Sequence, residues 1–319
     1  MSKSYSEITE RMQLIPKENR IIIRNLHGGI NLKTWSLKEI KITMKKRISG
    51  EISEREAESR LRRIELKDEK REDLRIMEVA VPLFILTPEI KVRVDLDIVA
   101  PPYLNLEIDT GTQKLNGTKL EGNISISVRE KLSTYVRNIK GNISVFSDSA
   151  DIIIENSEGK IFLESSSGSL TLRKVTGEIN IQSSSGNLTI DGGKGILLLK
   201  TKSGNITLND IEALILEIDS TSGNISMDMR PIEEGNYRIE TLSGSIRIKL
   251  PFRSSCIVKF ETKCGKIFSE PLFNIEEDTI KLGTGEGKMR LRTSSGDIYI
   301  LHGFTGEGDV SSDRQDSEI

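Results

Sequence analysis

Glycine recurs every nine residues through the middle of this chain, at Gly159, Gly168, Gly177, Gly186, Gly195 and Gly204. Ala213 takes the next slot, and Gly223, Gly235 and Gly244 continue the series after slightly longer steps. Gly122 and Gly141 extend it backwards, and Gly265, Gly287 and Gly296 extend it forwards. Two places after most of these glycines stands an apolar residue, as at Ile161, Leu170, Ile179, Leu188, Leu197 and Ile206, usually with another two places on. Apolar alternation at period two, broken by glycine, is a strand with one buried face followed by a turn. Nine residues are too few for a strand plus a crossover helix.

The nine-residue units are of two alternating kinds, so the true period is about 18. One kind ends in Ser/Thr-x-Ser-Gly, at 165–168, 183–186, 201–204, 220–223, 241–244 and 293–296, with Cys264 replacing the serine at 262–265. The other turns at Gly177, Gly195 and Ala213. Two short strands and two turns per repeat predict an all-β chain: a β-solenoid, or single-stranded β-helix, whose successive coils stack about 4.8 Å apart. A narrow interior of Ile, Leu and Val explains an aromatic content of only 4%. The turns require glycine, often followed by asparagine, and the Ser, Thr and Asn side chains are expected to form ladders along the outside edge.

The remaining segments complete the plan. Residues 1–19 read as an N-terminal tail and 20–303 as the solenoid, with early strands at 20–23, 29–32 and 40–44. Ser53 and Glu56 form a capping box that opens a helical insertion over about 53–66, with Ala57, Leu61 and Ile64 on one face. This helix is expected to cap the open N-terminal end of the stack. Residues 304–319 read as a disordered acidic tail. Phe252, Phe260, Phe268 and Phe273 coincide with irregular repeat lengths and suggest a wider, closing C-terminal end.

Composition excludes several classes. Lys and Arg number 46 against 48 Asp and Glu, so no global basic excess points to nucleic acid. The longest apolar run, 79–86, is far shorter than the roughly 18 residues a membrane helix needs. The polar first eleven residues lack the apolar core of an export signal, and two cysteines cannot staple so long a chain. A soluble, cytoplasmic protein is the expectation.

The opening 21–32, Ile-Ile-Ile-Arg-Asn-Leu-His-Gly-Gly-Ile-Asn-Leu, is followed by Trp35, the strand from Glu39, a charged helix and the strand ending Ile98-Val99-Ala100-Pro101. Serial Ser-Gly-x-Ile/Leu-x-Ile/Leu units then complete an order that resembles the prokaryotic "putative adhesin" β-strand-repeat family, a group of unknown function, over roughly residues 20–303. The resemblance implies a β-solenoid, and it carries no catalytic or binding residue over to this chain.

Asn116, Asn123, Asn142, Asn187, Asn205 and Asn224 head Asn-x-Ser/Thr sequons, yet five share one repeat position, which favours turn chemistry over glycosylation. No aspartate recurs where a calcium β-roll needs it. Glu164, Gln182, Lys200, Asp219 and Glu240 fall in one outward column, read as a solvated face rather than a glycosidase site. His27 and His302 have no zinc spacing. Cys256 reads as buried and Cys264 as a stand-in for serine. Residues 283–288 lack the spacer and hydroxyl of a phosphate loop. Lys33, Lys38, Lys41, Lys45, Lys46 and Arg47, with Arg55, Arg60, Arg62 and Arg63, concentrate basic charge near the N-terminus, interleaved with acids.

No catalytic, cofactor or metal residue follows from the sequence. The reading is a non-enzymatic structural or interaction protein that presents a repeated surface to a protein partner or assembles end to end. A carbohydrate-binding or carbohydrate-active β-helix is the alternative, and anionic-polymer or membrane-surface binding through the basic N-terminal region a weaker one.

Overall fold

The computed structural model describes residues 3–14, 20–71, 74–110, 115–118, 121–128, 133–251, 254–270, 273 and 275–303. The chain is mostly β, its described strands do not close into a barrel, and it divides by contact into two compact units, Met1–Gly186 and Asn187–Ile319.

In the first unit, two ladders of parallel strands run side by side. One joins Ile124–Val128, Ile143–Ser147 and the second half of Ile152–Ser165, which pairs in turn with Leu170–Ser183. The other joins Thr134–Arg137 to the first half of the same long strands. Between these strands the register offset is 18 residues, so Ile152 meets Leu170 and Gly159 meets Gly177. Inward positions repeat Ile152, Ile154, Ile161 and Leu163 over Leu170, Leu172, Ile179 and Ile181, all buried. At roughly 1.5–3 kcal/mol for each large apolar side chain removed from water, this column is the main favourable term of the unit.

In the two repeats from 152 to 186, three backbone positions each adopt positive φ. Two are glycine columns: Gly141, Gly159 and Gly177, and Gly168 with Gly186. A Cβ on Gly177 would overlap the carbonyl oxygen of Gly159 below it, so glycine is dictated by the close stacking as well as by φ. The third is a left-handed corner occupied by Asn138, Asn156 and Lys174 in this unit, and by Gly192 and Asp210 in the next. These residues share no side-chain type, which hides the corner from a search for glycine.

The open edge of the first unit departs from the expectation of a tail over 1–19. Lys3–Leu14 is a twelve-residue strand, paired antiparallel to Glu39–Gly50. Its half-buried positions are Tyr5, Glu7, Thr9 and Gln13 while Ile8 and Met12 are exposed, so no apolar period betrays it. The helix spans Glu54–Leu61, capped by Ser53 Oγ accepting from the Glu56 amide at 3.3 Å. Ala57, Leu61 and Ile64 are buried as expected. The helix stops earlier than 66 because Glu65–Lys70 forms a strand against Arg75–Ala80. It packs on the strands Lys3–Leu14 and Glu39–Gly50. The buried Lys46 ammonium joins all three elements, donating to Glu7 Oε1 at 2.8 Å and to the Leu61 carbonyl at 3.1 Å, where cationic charge suits a helix C-terminus.

In the second unit the parallel ladders continue from Leu188–Thr201 through Ile206–Ser222 to Ile225–Met229, Asn236–Ser243 and Ile246–Leu250. The order then changes. Asn236–Ser243 pairs not with Cys256–Thr262, the corresponding strand of the repeat that follows in sequence, but with Gly287–Ser295, which itself pairs with Cys256–Thr262 on its other side. Likewise Ile298–His302 lies between Ile246–Leu250 and Ile267–Ser269. The last repeat in sequence is thus the second to last in space. Thr279–Leu282 covers Cys256–Thr262 as an antiparallel edge. Of the expected aromatic cluster, Phe260 and Phe273 are buried, Phe268 is exposed, and Phe252 lies outside the described residues, as do 15–19 and 304–319.

Candidate interaction surface

The turns carry the ladders expected of them, with one correction. The first hydroxyl of each Ser/Thr-x-Ser-Gly element points inward: Ser165, Ser183, Thr201 and Ser220 are buried. Each bonds the carbonyl two residues on, at 2.7–3.2 Å. In these four the hydroxyl closes its own turn, whereas Thr262 Oγ1 and Thr293 Oγ1 donate to the Gly296 and Gly244 carbonyls of the neighbouring repeat. The serine before the glycine does reach across, Ser167 Oγ to the Asp148 carbonyl and Ser185 Oγ to the Ser166 carbonyl, both at 3.1 Å.

Asparagine forms the expected outer ladder. Asn105 Oδ1 accepts from the Asn123 amide, and in the second unit Asn187 accepts from Asn205, Asn205 from Asn224, and Asn224 from Ser245, at 2.9–3.1 Å. These bonds give Asn187, Asn205 and Asn224 of the sequon positions a role in the turns, and Asn123 also donates from Nδ2 to Asn105 Oδ1 at 3.0 Å. The side chain of Asn116 lies outside the described residues.

Charges on the outer faces also meet from repeat to repeat. In the first unit Lys160 pairs with Glu178 at 2.9 Å, and Arg173 with Glu155 at 2.6 Å. Glu155 also accepts from the Tyr135 hydroxyl, a bond that lowers the carboxyl's proton affinity and raises that of the phenol. Glu164 and Gln182 stand in register. In the second unit Lys200, Asp219 and Glu240 align, and the column goes on to Arg292 and Glu261. Arg238 binds Asp219 at 2.9 Å and Glu240 at 3.1 Å. The column is a neutralised ladder, not a pair of opposed carboxylates.

An aromatic platform for sugars finds little support. Phe268 and Tyr299 are neighbours in register and stack at 4.9 Å and 10°, while Arg247 covers Tyr299 at 5.0 Å. Both faces of Tyr299 are thereby covered, while Phe268 stays 43% exposed. The turn 283–288 is also filled: Ser255 Oγ accepts from the Gly285 and Glu286 amides at 3.1 and 3.2 Å. Among the described residues no three His, Cys, Asp or Glu gather as metal ligands, and no helix is long and apolar enough to cross a membrane. Cys256 is buried, with its thiol pKa pushed up to about 12, and Cys264 is exposed.

Six of the ten N-terminal basic residues fall into two sets. Lys41, Lys45, Lys46 and Arg60 are paired with Glu10, Asp97, Glu7 and Glu56. Arg62 and Arg63 instead line a groove of about 690 Å³ with Arg24, His27 and residues 79–84 of the apolar run. Burial lowers the proton affinity of His27 there. Leu83 is 84% exposed and Phe84 55% exposed on a single 3-10 turn, Leu83–Ile85, held by the buried Ile85.

Among curated proteins nothing matches the chain. A solved structure described as a "putative cell adhesion protein" from Clostridium sporogenes is similar at 11% identity, covering 93% of this chain and 100% of the other, with a TM-score of 0.22. A "putative adhesin" from Bacteroides fragilis is similar at 13% identity, covering 92% and 97%, with a TM-score of 0.32. The model of one family, Toastrack DUF4097, matches residues 29–301. That span takes in the parallel ladders of both units and the edge helix, and the chain belongs to the Toastrack DUF4097 family.

Proposed function

We propose that this chain is a non-enzymatic, cytoplasmic interaction protein, a β-solenoid of about 18-residue coils whose outer ladders present a repeated surface to a protein partner. One observation carries the reading: outward side chains of successive repeats meet in register and bond to each other, as Lys160 does to Glu178 and Lys194 to Glu212 at 2.9 Å. Each exposed pair contributes little stability alone. Their collective effect is to fix the spacing of charges along a face, which a partner of matching period can read.

Strand addition at Glu65–Lys70, one of the edge strands of the first unit, is disfavoured by its residues. In the strand Glu65–Lys70 every residue but Leu66 is charged, and such edges resist strand addition. Light scattering with size-exclusion chromatography is expected to give one mass across a wide concentration range, and growth with concentration would replace this reading by self-assembly. Affinity capture with the wild type and Arg238→Glu in parallel is expected to lose a partner in the variant. Identical captured sets would reject the second unit's ladder as the contact face.

A further inference from the structure

We infer that the groove beside Leu83 and Phe84 is a docking site for an anionic lipid surface, separate from the ladders. The segment 79–86, Val-Ala-Val-Pro-Leu-Phe-Ile-Leu, is the most apolar run of the chain. A soluble fold normally buries such a run, yet here only Val79 and Ile85 are buried, and Leu83, Phe84 and Leu86 are all exposed. Pro82 starts the turn and Ile85 anchors it, so the two bulky side chains between them project from a fixed base. Leu26, 42% exposed, adds apolar surface from the strand-end turn beside the groove.

The charge around this apolar tip is complementary to a lipid headgroup layer. Arg24, Arg62, Arg63 and Lys67 line the same groove against two carboxylates, Glu65 and Glu78. The Arg63 guanidinium lies 5.3 Å from the centre of the Phe84 ring, which ties the cation to the apolar tip. Among the described residues Arg62 and Lys67 make no ion pair, unlike Lys41, Lys45 and Lys46 nearby. Apolar side chains that enter the headgroup–acyl boundary, with Lys and Arg held at headgroup level, form the usual interfacial anchor. The run is too short to span a bilayer, so it would lie at the surface. An acidic peptide would satisfy the cations, but its best seat is a concave apolar floor; here the most exposed apolar side chains stand up from the groove.

Flotation of the full chain with vesicles tests this. The wild type is expected to float with phosphatidylglycerol-containing vesicles at low salt, to dissociate as salt rises, and not to float with pure phosphatidylcholine. The double variant Leu83→Asp, Phe84→Asp and the double variant Arg62→Glu, Arg63→Glu are each expected to weaken binding about tenfold or more. All four side chains are exposed, so circular dichroism should be unchanged. Phe84→Trp is expected to give blue-shifted emission on vesicle addition, which binding by charge alone would not produce. Absence of flotation at low salt, binding that both double variants retain, or an unshifted Phe84→Trp spectrum overturns the inference. Retention of an acidic, leucine-containing peptide in place of vesicles overturns it in favour of a peptide site.

Discussion

Arg75 grips the carboxylate of Asp68 with two parallel hydrogen bonds, Nε to Oδ1 at 2.8 Å and Nη2 to Oδ2 at 2.7 Å, and Gln13 Nε2 donates to the same carboxylate at 2.6 Å. Three strands at the first unit's open edge thereby converge on one charge. Its side chain is only 15% exposed, so the pair is shielded far better than a typical surface bridge.

This geometry sets a pH dependence. The Arg75 hydrogen bond is the largest influence on Asp68 and holds its carboxyl below the ordinary range; partial burial opposes that and the Gln13 bond adds to it. A folded-state value below the unfolded one means the stabilisation is complete above about pH 4 and is lost as pH falls through the folded value. Asp68→Asn is expected to cost about 1–3 kcal/mol at neutral pH and to reduce the acid sensitivity. Urea unfolding at neutral pH and at about pH 3 measures both; equal losses at the two pH values would sink the assignment.

Gly177→Ala puts a methyl group into the Gly159 carbonyl at a φ of 128°. Overlap and backbone strain together are expected to cost about 2 kcal/mol or more, read as a lower Tm. A neutral effect would show that the repeats separate easily.

Leu291, fully buried, sits in register between Ile239 and Phe260. Leu291→Ala is expected to cost about 2–5 kcal/mol through the cavity it leaves. Hydrogen exchange should quicken in both flanking strands, Asn236–Ser243 and Cys256–Thr262. Quickening in only one of them would contradict the inserted position.

The two thiols should react at different rates. Only the thiolate attacks a disulfide reagent, and burial keeps Cys256 protonated and out of reach. One equivalent is expected to react in the native protein, lost in Cys264→Ser, and a second only on unfolding. Two rapid equivalents would place Cys256 at the surface.

Much of this architecture was legible because stacking repeats a backbone demand at a fixed interval. Gly159 and Gly177, nine residues either side of Gly168, predicted the register that is observed. The alanine at 213 was visible too, and there the register slips by one residue, from Gly195↔Ala213 to Ile196↔Ile215. The left-handed corner was not legible, because Asn156, Lys174 and Asp210 reach the same φ without a common side chain. Nor was the strand Lys3–Leu14, whose inward positions are mostly polar. The inward hydroxyls of Ser165 and Thr201 were misplaced outside, since a two-residue bond to the backbone leaves no mark on spacing. The exposed tip at Leu83 and Phe84 showed only as an apolar run, and its basic neighbours Arg24, Arg62 and Arg63 come from distant stretches of sequence.

The insertion of 287–302 between two earlier repeats has a consequence for how the protein is made. A ribosome delivers 236–250 and 256–269 first, and each then faces a vacant slot one strand wide. Until 287–302 emerges, two sheet edges and the apolar side chains along them, Ile239 and Phe260 among them, lack their neighbour on that side. Earlier repeats can settle as they are synthesised, but this unit closes only after nearly all of its chain is out. Premature release of the polypeptide would therefore yield two adhesive edges rather than a slightly shorter version of the same protein.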